Sequence, residues 1–424
     1  MKKYILYAML SVALFNSCKK GIDPAPGDRP EERTEAALNS YKDALTGNTN
    51  GWKALLFPSG GGVYLFSMKF GTNDRVNMIS DFTTAAASTS AESGYRLRLQ
   101  QSPTLLFDTY SYIHLLADPD PSVAGGQGGQ GYKSDFEFYF DKTSGDTIKL
   151  IGNRLGSKLF LVKAKTAAEY DAFPKGTNDV LGKLNQVRTY FKRATIGGID
   201  CEVKVNSANK ELTFSYLNGN TLTSVTGAFY VDGTTMIFLN PVTIGTAVIT
   251  EIKGVTIDAA NRIFSGTING TAFSLRESIT PLKYDLTAAA TFYNSPPNGA
   301  YWTSPAGFTL DGVADAYGVK TIPSFGFLLF YPKYNASYSR LGFIVNNAYA
   351  AYGPAPVASF PVNGTIKFTN FGSFGTAPAA ILPIVTNTTN KWYDTGGFYV
   401  IKTGVTSYDL VSATDARAWT SWGP

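Results

Sequence analysis

Leu105–Asp141, LLFDTYSYIHLLADPDPSVAGGQGGQGYKSDFEFYFD, holds the only histidine of the chain, its densest glycine run and its cleanest alternating strand. In Asp135-Phe136-Glu137-Phe138-Tyr139-Phe140-Asp141 side chains alternate between faces. A period of two places Phe136, Phe138 and Phe140 on one side and Asp135, Glu137, Tyr139 and Asp141 on the other. That pattern predicts a half-buried strand. Upstream, Asp108 is placed to cap a short helix over roughly Thr109–Ala117, and Pro119 and Pro121 stop it because proline lacks an amide hydrogen. Between helix and strand, GGQGGQGY reads as a flexible loop.

The glycines of this loop mimic nucleotide motifs without their context. Gly126, Gly128 and Gly131 satisfy GxGxxG, and Gly126, Gly131, Lys133 and Ser134 resemble a phosphate loop. No strand leads in and no helix follows, so the helix N-terminus that would hold a phosphate is missing. Asp118, Asp120 and Ser122 begin like a calcium loop, but Val123 stands where a glycine must turn and Gly129 where a bidentate Glu belongs. A solvated acidic turn is the plainer reading.

Working outward, the same alternation recurs. Gly51–Phe57, Val63–Phe70, Arg75–Phe82, Tyr95–Gln100, Thr104–Asp108, Asp135–Asp141, Thr147–Gly152 and Lys158–Val162 are punctuated by turn chemistry such as PSGGG and GTND. Eight antiparallel strands suit a closed up-and-down barrel of lipocalin-like meander, which removes exposed edges. Thr83–Ser93 and Thr109–Ser134 exceed ordinary hairpin loops in length, and such loops are usually functional or disordered. Pro30–Leu45 reads as a leading helix, with Leu38, Tyr41 and Leu45 at helical spacing.

Lys165–Phe191 reads as a second helix whose Val180, Leu184, Val187 and Phe191 share a face. A further β-meander is expected from Ile199 to about Leu286, with Cys201 beside Ile199 and Val203 as a small core residue. The portion from Thr287 is rich in aromatic residues, Gly and Pro. Phe325–Tyr331 and Arg340–Asn346 suggest a hairpin there, and Trp392–Ile401 a late strand. The expected organisation is therefore mainly β with few helices: 30–164 a helix plus barrel, 165–195 a helical linker, 196–286 a second β domain and 287–424 an aromatic-rich β domain.

At the N-terminus, Met1-Lys2-Lys3, an apolar run Tyr4–Phe15, and Ser17 immediately before Cys18 form a signal-peptide pattern over residues 1–17, too short to span a bilayer. Residues 18–29 are a Pro/Gly-rich polar tether. The small residue before cysteine resembles a bacterial lipobox, although Phe15 and Asn16 depart from its commonest form. On this pattern Cys18 is the lipidation site and the partner is a membrane surface, since multiple acyl chains anchor where one binds only marginally. Only Asp23 stands acidic soon after the cysteine, so the leaflet stays open.

Composition agrees with an envelope setting. Charged residues make up only 16% of the chain, while 25 Tyr and 28 Phe favour strands over helices. A formal net charge of +5, reduced by two when Lys2 and Lys3 leave with the leader, is too small for a nucleic-acid binder. With Cys18 lipidated, Cys201 has no partner for a disulfide, so the cores must be hydrophobic. Through the lipobox together with FDTYSYIHLLADPDP and SDFEFYF, the whole chain resembles a family of Bacteroidota outer-membrane lipoproteins of unknown function. The setting of that family, among nutrient-uptake lipoproteins and outer-membrane transport proteins, implies ligand handling or complex formation.

Catalytic signals are poor. One histidine cannot form a multi-histidine metal site, and neither HExxH nor GxSxG occurs, so no metal and no cofactor are expected. A carboxylate pair among Asp135, Glu137 and Asp141 is the one hydrolase reading left, with a solvent-facing acidic ladder beside it. The expected role is non-catalytic binding of a small or glycan-like ligand at the barrel mouth by Tyr110, Tyr112, His114 and Glu137, because aromatic faces supply area and polar tips orientation. Two alternatives stand beside it. The central stretch merely plugs the barrel, with binding on the Trp-rich C-terminal domain around Trp302, or the protein is an accessory subunit of an outer-membrane complex.

Overall fold

A computed structural model describes residues 30–424, so the leader, Cys18 and the tether lie outside the described residues. The chain divides into two compact units. One holds residues up to Gly61, Ser67–Ile79 and Ser90–Tyr170; the other holds Gly62–Phe66, Ser80–Thr89 and Asp171–Pro424.

The first eight strands are β1 (Trp52–Phe57), β2 (Tyr64–Phe70), β3 (Arg75–Ser80), β4 (Ala91–Leu99), β5 (Pro103–Phe107), β6 (Glu137–Ser144), β7 (Thr147–Gly152) and β8 (Lys158–Lys163). They follow one another around a closed barrel, which β1 completes by pairing antiparallel with β8 from Trp52↔Lys163 to Phe57↔Lys158. Each of the eight stretches expected from alternation carries a strand. Inward positions of β5 to β8, among them Leu105, Phe107, Phe138, Leu150, Leu159 and Leu161, are fully buried, so the barrel is packed by side chains. Helix α1 (Pro30–Thr46) lays Tyr41 on Phe140, ring centroids 3.9 Å apart, and the Leu45 carbonyl accepts a 2.8 Å bond from the Trp52 indole.

Between β5 and β6 the expected helix over Thr109–Ala117 shortens to α2 (Tyr112–Leu115), capped at Ser111, and a second turn α3 (Pro121–Ala124) is capped by Asp120. Asp108 does not cap; it binds Arg96 at 2.6 Å. Nor is the glycine run a loose connector. Gln127 and Gly131 exchange backbone bonds, Gly129 N–H donates to the Pro119 carbonyl, and Tyr132 N–H donates to that of Leu116.

Helix α4 (Ala167–Leu184) ends earlier than expected, and Phe191 opens a strand. The second barrel contains β9 (Phe191–Ile196), β10 (Ile199–Asn206), β11 (Glu211–Asn218), β12 (Thr221–Asp232), β13 (Thr235–Ile244), β14 (Ala247–Asp258), β15 (Ile263–Ile268) and β16 (Thr271–Ser278). It closes where β9 pairs with both β10 and β16. The stretch expected as helical linker thus supplies the closing strand, and Val180 and Leu184 of α4 join the core of the barrel together with Cys201. Asn269 and Gly270, both at positive φ, form the two-residue turn between β15 and β16.

The C-terminal part has a four-stranded sheet of β17 (Trp302–Ser304), β19 (Phe325–Tyr331), β20 (Arg340–Val345) and β21 (Ala348–Tyr349). A six-stranded sheet joins β18 (Thr309–Leu310), β26 (Ala418–Trp422), β25 (Tyr408–Ser412), β24 (Phe398–Lys402), β23 (Thr365–Ser373) and β22 (Pro354–Ser359). Helices α5 (Ala288–Asn294) and α6 (Leu382–Trp392) complete it. Trp392 therefore ends a helix and does not begin a strand; its ring stacks on Phe368 at 4.5 Å. One core fills the space between the sheets, and Trp302, Trp392 and Trp422 all lie in it.

Candidate functional site

The alternation rule fails by one residue at the start of β6, and that failure builds the site. Asp135 is buried, and its carboxylate accepts the backbone amides of Arg154 (3.0 Å), Leu155 (2.9 Å) and Ser157 (3.0 Å) in the turn between β7 and β8. Its own amide donates to Ser157 Oγ at 3.1 Å. Three amides satisfy a buried carboxylate without a counter-ion. Holding Asp135 inward turns Phe136 out, where it is 41% exposed although the sequence pattern expects it in the core. The expected acidic ladder therefore does not form, and Asp141 instead pairs with Lys149 at 3.0 Å.

Phe136 and Glu137 stand on one wall of a cleft of about 630 Å³ at the barrel rim, within the range of small-molecule sites. Lys133, Asn153, Arg154, Gln130, Ser134 and Asp135 complete the polar lining. Phe136 continues into a ladder of rings. His114 lies 5.0 Å from Phe136, and Tyr110 stacks on His114 at 5.6 Å and 24°. Tyr110 is 59% exposed, and its hydroxyl donates to Asp118, which pushes its pKa up to about 12.

Both nitrogens of His114 are occupied. Nδ1 accepts the Ser111 amide at 3.1 Å, which leaves the proton on Nε2 to be donated to the Phe107 carbonyl at 3.1 Å. Burial lowers its pKa, against the Phe107 carbonyl bond and the Asp108 charge that raise it. His114 therefore offers a ring face and no free proton donor. Ile113 and Leu116 beside it are fully buried, so α2 is a structural anchor as well. Of the residues expected from sequence, Glu137 lines the cleft, Tyr110 and His114 reach it through Phe136, and Tyr112 is half-buried outside its lining. Phe136, Lys133, Asn153 and Arg154 were not foreseen; the acid at 135 beside a Gly-Asn-Arg-Leu-Gly turn is the one local hint.

Among the described residues no three His, Cys, Asp or Glu side chains gather as a metal site. Asp118 and Asp120 accept amides of their own turn, from Asp120 and Ser122. Lys133 and Ser134 lead into a strand, so no helix offers its amides to a phosphate. Trp302, the alternative binding residue, is buried at 2% exposure, stacks on Phe292 at 4.9 Å and donates its indole proton to the Phe292 carbonyl.

Fold and site define a class, mainly-β proteins of two consecutive antiparallel barrels with a cleft at the rim of the first. The chain belongs to the family described as a domain of unknown function (DUF4302), which it matches over residues 27–255. No curated protein matches it. Among solved structures it is compared with the octameric penicillin-binding protein homologue from Pyrococcus abyssi, at 11% identity over 43% of this chain and 53% of that one, TM-score 0.15. It spans about half the length of that relative. The DNA polymerase III β subunit from Thermotoga maritima aligns at 8% identity over 92% and 97% of the two chains, TM-score 0.14. TM-scores this low establish no shared fold.

Proposed function

We propose that the protein is an envelope lipoprotein, anchored through Cys18, whose first barrel binds a small glycan-like ligand without transforming it. The observation that carries this reading is the ring ladder Tyr110–His114–Phe136, which ends in the wall of a cleft that is also lined by the amides of Gln130 and Asn153 and by charged side chains. A pyranose ring presents an apolar face and a polar rim, and such a wall is complementary to both. The carboxylates near the cleft support binding over hydrolysis: Asp135 is committed to three amides, and Glu137 accepts from Gln100 Nε2. Outer-membrane transport proteins are the partners to which such an anchored binder would deliver.

Titrating the mature chain with an oligosaccharide panel tests the reading. Phe136→Ala should weaken binding about tenfold, with the melting temperature unchanged. Prolonged incubation should return the sugar intact. Binding unaffected by Phe136→Ala, or released reducing ends, would refute it. Anchoring has its own test, because Cys18→Ser should abolish palmitate labelling and membrane partitioning together.

A further inference from the structure

The four charged side chains of the cleft are not equivalent. The carboxylate of Asp135 is saturated by three backbone amides, and that of Glu137 is held by the Gln100 amide. Lys133 and Arg154 line the same cleft, and among the described residues neither ammonium nor guanidinium has an acid partner. The backbone of Lys133 is also in the left-handed region, at φ 56°. Its amide donates to the Gln130 carbonyl, and its carbonyl accepts from Ser59 N–H and Ser59 Oγ, so the conformation is held from both sides. In a segment already supplied with glycine, a long cationic side chain stands where glycine would be unstrained.

Resting on the binding reading above, we propose that the ligand of this cleft is a sugar bearing a carboxylate, with Lys133 and Arg154 as its counter-charges and Phe136 beneath its ring. Arg154 presents a planar fork that matches a carboxylate, and Lys133 adds a movable point charge. Exposed Gln130 supplies amide contacts for hydroxyls. The Asp135 carboxylate, already hydrogen-bonded, orients the turn that carries Arg154.

The test uses the full mature chain and oligouronates of several linkages, each beside its carboxyl-reduced counterpart. Acidic forms should bind about tenfold more tightly than reduced ones, and the difference should shrink with added salt. Lys133→Gln and Arg154→Gln should each remove most of that difference by weakening the acidic forms toward the affinity of the reduced ones. Both variants should keep the wild-type circular dichroism spectrum and melting curve, since neither side chain has an acid partner to lose. Equal binding of the two forms, or indifference to both substitutions, overturns the proposal. If Phe136→Ala still weakens the neutral sugars in that case, the cleft remains a sugar site and only its charge selection falls. Absence of binding across both arms overturns the proposal and the reading beneath it.

Discussion

Asp135 shows how much one side chain can decide. Removing it by Asp135→Ala leaves the amides of Arg154, Leu155 and Ser157 without their acceptor, and about 3 kcal/mol of stability should be lost in urea unfolding. Gly152 is tied to the same carboxylate, because a Cβ there would meet Asp135 Oδ2 at 2.1 Å. Gly152→Ala should therefore be costly, and in the double variant the two losses should fall short of their sum. His114 gives a pH signature. Its folded pKa lies below the unfolded value, so the neutral ring contributes stability above about pH 6.5 that is lost as pH falls through the folded pKa. The melting temperature of the wild type should drop between about pH 7.5 and 5 more than that of His114→Gln. An equal drop in both would show that His114 does not carry the effect. Phe136 and Glu137 were visible in the sequence as a strand, but the face of Phe136 was misassigned, because the amides that hold Asp135 come from nineteen to twenty-two positions further on, as the separations of those bonds show.

At the scale of elements, the segment between β5 and β6 is the clearest departure from local reading. Its glycines permit close backbone approach: Gly131 is at φ 55°, and a Cβ there would stand 2.6 Å from the Asp118 carbonyl. Gly131→Ala should cost about 1–3 kcal/mol and open residues 118–131 to limited proteolysis, while the barrel strands keep their far-UV signal. Uniform resistance to protease would contradict this packing. Strand β9 was missed for a related reason. Phe191 continues the apolar spacing of α4, and helical periodicity alone does not record that Gly197 and Gly198 turn the chain back so that Ile196 pairs with Ile199. The eight strands of the first barrel were legible because each alternates over a half-buried surface and ends at a turn.

Across the whole of the second unit, its barrel and its C-terminal sheets share contacts. Tyr190 donates to Asp409 at 2.7 Å, Arg417 binds Glu277 at 2.8 Å, and Phe191 packs with Tyr399 and Val411. Burial first, and then the Asp409 charge, hold the Tyr190 pKa well above its ordinary value. Residues 171–424 should accordingly unfold in one cooperative transition, and Tyr190→Phe, which strands the buried Asp409, should lower its stability by about 1–3 kcal/mol. Calorimetry of the mature chain in which the barrel and the C-terminal sheets melt separately would refute this coupling. Cys201 gives a second global readout. Burial, helped by the Asp200 charge, pushes its thiol up to about 11, so a thiol reagent should label it only after denaturation.

The sequence by itself determined the class of the molecule: mainly β, with a first barrel of eight strands and a composition rich in Tyr and Phe. Those properties follow from local alternation, turn residues and composition, which act over a few positions. Tertiary structure alone decided that the second meander closes into a barrel, that Trp302, Trp392 and Trp422 are core, and that Phe136 faces out beside Lys133 and Arg154. Each of these depends on hydrogen bonds or packing between residues far apart in the chain, and no periodicity along the chain encodes which distant amides a buried carboxylate will find.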